Sequence, residues 1–190
     1  MRKVIVSMNV TLDGFMAGPN CELDWHFQSW TNEMADSLYE QLSMADTILL
    51  GRVTYKAMAR YWPSKAKDLS FPREDIAFAD LMNNYTKLVF SRTLTRPEWH
   101  NSKFIKGNPA DEVSKLKEQP GKDMIVYGSG KVVESLANSD LIDEFQLWVH
   151  PVLLGEGKPL FKNLQKRLTM KLSKTKTFGS GVIILYYNSH

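Results

Sequence analysis

Apolar residues follow two rhythms along this chain, and the switches between them mark the elements. Residues 2–11 alternate loosely around Val4, Val6, Met8 and Val10, which predicts a strand. Asp13-Gly14 breaks it. Residues 13–30, rich in Gly, Pro, Asn and aromatics, read as a long loop, and such a loop in a small domain is more often functional than idle. Thr31 with Met34, Leu38, Leu42 and Ala45 predicts an amphipathic helix carrying a threonine N-cap. Residues 47–50 form a short apolar run of the buried-strand kind. Residues 55–61 read as a short helix stopped by Pro63, residues 64–75 as a polar loop, and residues 76–82 as a helical turn or two. Further strands are expected over 86–91, 102–105 and 123–127. A helix over 109–118 opens on Pro109, and another is carried by Val132, Val133, Leu136 and Ala137. The strand at 141–149 has unlike faces, with Phe145, Leu147 and Val149 set against Glu144, Gln146 and Trp148. Segments 168–177 and 182–187 flank Gly179-Ser180-Gly181 and predict a closing hairpin.

Strand–helix units first and an antiparallel pair last predict an α/β fold over residues 1–190 as one domain. Its central sheet is mainly parallel, with helices on both faces and an antiparallel C-terminal hairpin. With 190 residues, 43% hydrophobic and 24% charged, the composition is that of an ordinary globular protein and argues against disorder. The net charge of +3 is spread along the chain without a basic stripe, so no nucleic-acid partner is expected. The longest apolar runs fall far short of a membrane span. Cys21 is the single cysteine, which excludes an internal disulfide; with no signal-peptide pattern at the start, a cytoplasmic location is expected. His26, His100, His150 and His190 show no ligand spacing, so no metal is expected.

Three strand ends carry the candidate chemistry. Gly51-Arg52-Val53-Thr54, Ser91-Arg92 and Gly128-Ser129-Gly130-Lys131 each follow an apolar strand, at the edge where open parallel sheets hold ligands. Glycine lets backbone approach a pyrophosphate closely, and a helix N-terminus aims its N–H groups at the charge. Arg92 offers a planar fork for a phosphate. A P-loop is absent. As a set, the three turns point to nucleotide binding.

Leu49-Leu50-Gly51-Arg52-Val53-Thr54-Tyr55, Leu88-Val89-Phe90-Ser91-Arg92 and Ile125-Val126-Tyr127-Gly128-Ser129-Gly130 resemble, in order, the three cofactor motifs of dihydrofolate reductases. Thr11-Leu12-Asp13-Gly14-Phe15-Met16-Ala17 and the stretch from Asp143-Glu144-Phe145 through Pro151-Val152-Leu153-Leu154-Gly155-Glu156-Gly157 to Pro159-Leu160-Phe161 resemble the reductase domain of riboflavin-biosynthesis deaminase–reductases. The resemblance covers essentially the whole chain and leaves no part for a deaminase domain. It implies a dihydrofolate-reductase-like three-layer α/β/α fold, NADPH as cofactor, hydride transfer to a small heterocycle, and a homodimer with residues 145–149 and the tail hairpin as candidate surfaces. By the same resemblance the backbone around Gly51, Arg52, Val53 and Thr54 holds cofactor phosphates. Ser91 and Arg92 meet the adenosine ribose and its 2′-phosphate. Gly128, Ser129, Gly130 and Lys131 cradle the pyrophosphate and the nicotinamide side.

The Asp13-Gly14 loop corresponds to the mobile flap, and Asp13 to an aspartate that faces substrate in the riboflavin branch. A first-helix carboxylate, which dihydrofolate reductases use on the pterin, has only Asp36 near the register, in a pattern that otherwise does not match; Glu33 is no better placed. The riboflavin branch's basic set for a ribose phosphate has no counterpart. Trp25, Trp30, Tyr39 and Trp62 line a flat-heterocycle pocket or else belong to the core. His26 is a proton donor or a surface residue, and His150 reads as structural. Besides the reductase, a ligand-binding protein that lost the chemistry and a true dihydrofolate reductase stay open.

Overall fold

The structure is a computed structural model describing residues 1–66 and 73–189, with only the backbone for 73–75. Most of the predicted polar loop at 64–75, and His190, lie outside the described residues. In chain order the elements are β1 (Val4–Thr11), β2 (Phe15–Ala17), α1 (Asp24–Phe27), α2 (Asn32–Ser43), β3 (Ala45–Gly51), α3 (Arg52–Lys65), α4 (Arg73–Asn84), β4 (Thr86–Phe90) and β5 (Ser102–Ile105). They continue with α5 (Pro109–Lys117), β6 (Asp123–Val126), α6 (Gly130–Asn138), β7 (Glu144–His150), β8 (Lys158–Pro159), β9 (Met170–Thr177) and β10 (Ile183–Ser189).

Eight strands form one sheet in the order β5-β4-β3-β6-β1-β7-β10-β9. Every pair from β5 to β7 is parallel, and β10 runs antiparallel to both its neighbours. The period-two alternation of β1 explains the layering. Val4, Val6, Met8 and Val10 face one side and pack with Val113 of α5 and with Val132, Val133 and Leu136 of α6. On the other side Ile48, Leu50, Val89 and Ile125 pack under Leu42 of α2, Tyr55 of α3 and Phe78 and Met82 of α4. A third cluster joins Met34 of α2 to Trp148, Phe178 and Ile184. The mostly parallel α/β architecture with its antiparallel hairpin is as the sequence predicts.

Four local expectations change. Helix α3 starts at Arg52, directly off β3, instead of at residue 55, and passes through Pro63 to Lys65; a proline this near the end costs one helical hydrogen bond without any following helix to break. Helix α4 spans 12 residues instead of a turn or two. The segment 13–30 contains β2 and the short α1, because β2 pairs antiparallel with β8. Finally, β7 lies between β1 and β10, so residues 145–149 offer no free edge; β9 does, and its side chains are mostly exposed. Among the described residues no helix is long and apolar enough to cross a membrane.

Candidate functional site

Because β4, β3 and β6 are adjacent and parallel, the turns that follow them meet at one edge of the sheet. Gly51 N–H donates to Gly128 O at 2.9 Å. A Cβ at Gly51 would collide with Ser129 Oγ, and one at Gly128, where φ is +122°, would sit 2.8 Å from Thr54 Oγ1. The two turns are thus packed backbone on backbone, as glycine permits. The Gly128–Ser129 peptide is cis. Helices α3 and α6 begin immediately, at Arg52 and Gly130, and neither Gly51 nor Ser129 caps its helix with a side chain. The N–H groups of a first helical turn have no partner within the helix, so both N-termini present donors to this edge. Helices α2 and α5 differ: Thr31 Oγ1 accepts from Met34 N–H at 3.3 Å, and Asn108 Oδ1 from Ala110 N–H at 3.1 Å.

Ser91 follows β4 and is buried; its Oγ accepts from Thr93 N–H at 3.2 Å and Leu94 N–H at 3.1 Å, which fixes the turn carrying Arg92. Buried Tyr55 of α3 braces the chain beyond it, its hydroxyl accepting from Glu98 and Trp99 N–H at 3.0 and 3.1 Å. Arg52, Arg92 and Lys131 are exposed, and none forms an ion pair among the described residues. The edge therefore holds two open helix N-termini and three free cations, an arrangement suited to a phosphorylated ligand.

The neighbouring part of the edge is made differently. Val6 of β1 pairs with Val126, so Ser7 to Thr11 run on past the end of β6 beside β7. Thr11 Oγ1 donates to Asp13 Oδ1 at 2.5 Å, while Leu154 and Gly155 N–H donate to Asp13 Oδ2 at 3.0 and 2.8 Å. The Thr11 hydroxyl first, and then the two backbone donors, hold the Asp13 carboxyl below its ordinary range, so it stays ionised near neutrality. Met16 of β2 lies against Gly130, where a Cβ would come within 2.9 Å of its Cε. The flap thereby touches the start of α6.

The other expected residues separate. Trp25 is buried at this edge, its ring edge-on to His150 with centroids 5.2 Å apart. Trp30 packs with Met34, Trp148 and Phe178 in the third cluster. Trp62 packs on Phe78 at 5.1 Å, and Tyr39 is exposed. Asp36 and Glu33 lie on the exposed side of α2, while Ser37 faces inward.

The sequence does not single out Asn9, and His150, which reads as structural, is buried against it. His150 is fully buried, with Nε2 2.9 Å from Asn9 Oδ1, and burial first and then nearby His26 lower its pKa to about 4. Burial also lowers that of His26, against the Leu23 carbonyl and Asp24. The signal was available in the strand period. Ser7, Asn9 and Thr11 on β1, and Gln146, Trp148 and His150 on β7, share the α2-facing side of the sheet, an unusually polar inward face for central strands. A broad depression of about 700 Å³ lies at the opposite end of β4 and β5, beside Trp99 and Ser102, and touches none of these groups.

The sequence family described as the RibD C-terminal domain matches residues 2–184. The uncharacterized protein YyaP of Bacillus subtilis (strain 168) is 39% identical over 187 residues, covering 98% of this chain and 95% of its own. Among solved structures, a diaminohydroxyphosphoribosylaminopyrimidine deaminase/5-amino-6-(5-phosphoribosylamino)uracil reductase from Thermotoga maritima superposes with a TM-score of 0.67 at 15% identity, over 100% of this chain and 57% of its own. Dihydrofolate reductase from Enterococcus faecalis, complexed with NADP(H) and RAB-propyl, gives 0.63 at 12% identity, over 99% of this chain and 96% of its own. The fold is that of dihydrofolate reductase, and the match along nearly the full sequence settles the family: the chain belongs to the RibD C-terminal domain family.

Proposed function

We propose that the protein is an NADPH-dependent reductase acting on a small heterocyclic substrate, nearest in kind to the 5-amino-6-(5-phosphoribosylamino)uracil named for the Thermotoga protein. The observation that carries this reading is the meeting of three turns at one sheet edge, with two uncapped helix N-termini and three cations that form no ion pair among the described residues. The site fits the group in kind: glycine backbone where close approach is needed, and guanidinium where a second phosphate distinguishes NADPH from NADH. Gly51 to Thr54 and Gly128 to Lys131 hold the pyrophosphate, and Ser91 and Arg92 the ribose with its 2′-phosphate. When bound, the cofactor supplies a hydride from its nicotinamide. Trp25 excludes water from the substrate end. Asp13, ionised and engaged by three donors, positions the flap and has no proton to give.

A second reading, a nucleotide-binding protein without turnover, is favoured by one observation: no carboxylate of α2 faces the sheet, since Glu33, Asp36 and Glu40 are all exposed. The same observation weighs against folate reduction, whose first-helix carboxylate has no counterpart.

Titration of tryptophan fluorescence with NADPH and NADH tests the proposal. Saturable quenching by NADPH is expected, with Arg92→Ala weakening NADPH by about tenfold or more and NADH hardly at all. No quenching at millimolar NADPH sinks it, and equal losses for the two cofactors would remove Arg92 from the 2′-phosphate.

A further inference from the structure

The end of β7 holds a buried polar atom that the cofactor does not account for. His150 has no exposed surface, and its Nε2 lies 2.9 Å from Asn9 Oδ1. An amide oxygen only accepts, so Nε2 carries the proton and Nδ1 keeps a lone pair. That Nδ1 is buried and meets no partner among the described residues. Buried polar atoms are nearly always paired, so an orphan beside a candidate site calls for a ligand group.

Its surroundings narrow the choice. His150 pairs in register with Thr11, two residues before Asp13 and the flap. Trp25 covers it at 5.2 Å and His26 stands at 6.1 Å, centroid to centroid. Both belong to the single-turn α1, whose neighbours Leu23, Asp24 and Phe27 face solvent, so the cover is light. The His26 Nδ1 meets the Leu23 carbonyl and donates to it, which leaves its Nε2 also as an acceptor. Two neutral imidazoles thus offer lone pairs at this spot. On the same segment the Asp13 carboxylate is already engaged by Thr11, Leu154 and Gly155, and the exposed Asp24 of α1 is the carboxylate that acts on His26. With two ring lone pairs at this spot and Asp24 close by, a neutral N–H is favoured over a carboxylate or phosphate.

We propose that His150, set in one tautomer by Asn9, receives an N–H of the bound substrate and so selects a heterocycle bearing an amino or lactam N–H on its inward edge. His150 is the specificity residue and Asn9 the residue that positions it. This rests on the reductase reading, which puts the substrate under the flap.

The test uses ring-nitrogen NMR of the ¹⁵N-labelled protein with NADP⁺, adding 2-aminopyrimidine or, as a probe without N–H, 2-(dimethylamino)pyrimidine. In the free protein His150 Nδ1 should resonate as an unprotonated nitrogen. 2-Aminopyrimidine should move it upfield and leave Nε2 in place, whereas the dimethyl probe should leave both unmoved. His150→Phe should weaken 2-aminopyrimidine by about tenfold and keep NADP⁺ affinity. A protonated Nδ1 in the free protein, an Nδ1 that 2-aminopyrimidine does not move, or equal probe binding by His150→Phe overturns the proposal. The wild-type resonance decides even if that variant folds poorly. Failure of NADP⁺ to bind in the same samples would instead overturn the reductase reading.

Discussion

In the half of the carboxyl edge formed by β3, β4 and β6, the polar groups turned outward are backbone amides, two uncapped helix N-termini and unpaired cations. In the half formed by β1 and β7 they are side chains that mostly satisfy one another: Thr11 with Asp13, Asn9 with His150, Ser7 with Gln41 at 2.7 Å. The helix beside it, α2, is closed by Thr31. The first half leaves its donors open and is closely packed through glycine. The second is closed on itself, with the Asp13 loop tied to Leu154 and Gly155 beside it. On the proposed function, the first construction would take the cofactor and the second the substrate.

The strongest way to break this contrast is Gly128→Val. At φ +122° and with a Cβ 2.8 Å from Thr54 Oγ1, the valine should cost on the order of 2–3 kcal/mol in urea denaturation. It should also abolish NADPH quenching. Wild-type binding by this variant would show that the turns need not pack so closely.

Next is acid. The imidazole of His150 takes up a proton near pH 6.5 when unfolded, but only at about 4 when folded. Between those values the unfolded chain binds more protons, so stability is lost as pH falls from about 6.5 towards 4. Urea midpoints should report a loss on the order of 2 kcal/mol between pH 7 and 4.5, with His26 adding in the same sense. His150→Phe should flatten much of that slope; an unchanged slope would mean that His150 is not held neutral.

The smallest effects compare the two kinds of helix start. Thr31→Ala removes a capping acceptor and should cost about 1 kcal/mol of stability with NADPH affinity unchanged. Ser129→Ala removes no cap and should change stability by less than about 0.5 kcal/mol. If Ser129→Ala proves the more destabilising, the distinction between open and closed N-termini fails.

The edge at β3, β4 and β6 was readable because its signals are local. An apolar run, a glycine and a helix-competent segment lie within eight residues at Ile48 to Tyr55, and the same holds at Ile125 to Lys131. The helix start at Arg52 was missed by three residues, because no spacer separates it from β3. The edge at β1 and β7 was hardly readable. Asn9 and His150 are 141 positions apart, as are Asp13 and Leu154, and no local pattern announces either pair. The aromatics suffered likewise: of Trp25, Trp30, Tyr39 and Trp62, the sheet brings only Trp25 to the edge.

By itself the sequence determined most of the elements, the mainly parallel character of the sheet and the three turns, since hydrophobic period and glycine placement act over a few residues. Only the tertiary structure decided which side chains meet on the α2-facing side of β1 and β7, that Asp13 is already engaged, and that Asp36 faces solvent. Those outcomes follow from strand register and from which face of a helix packs inward, and both are set by the whole core at once.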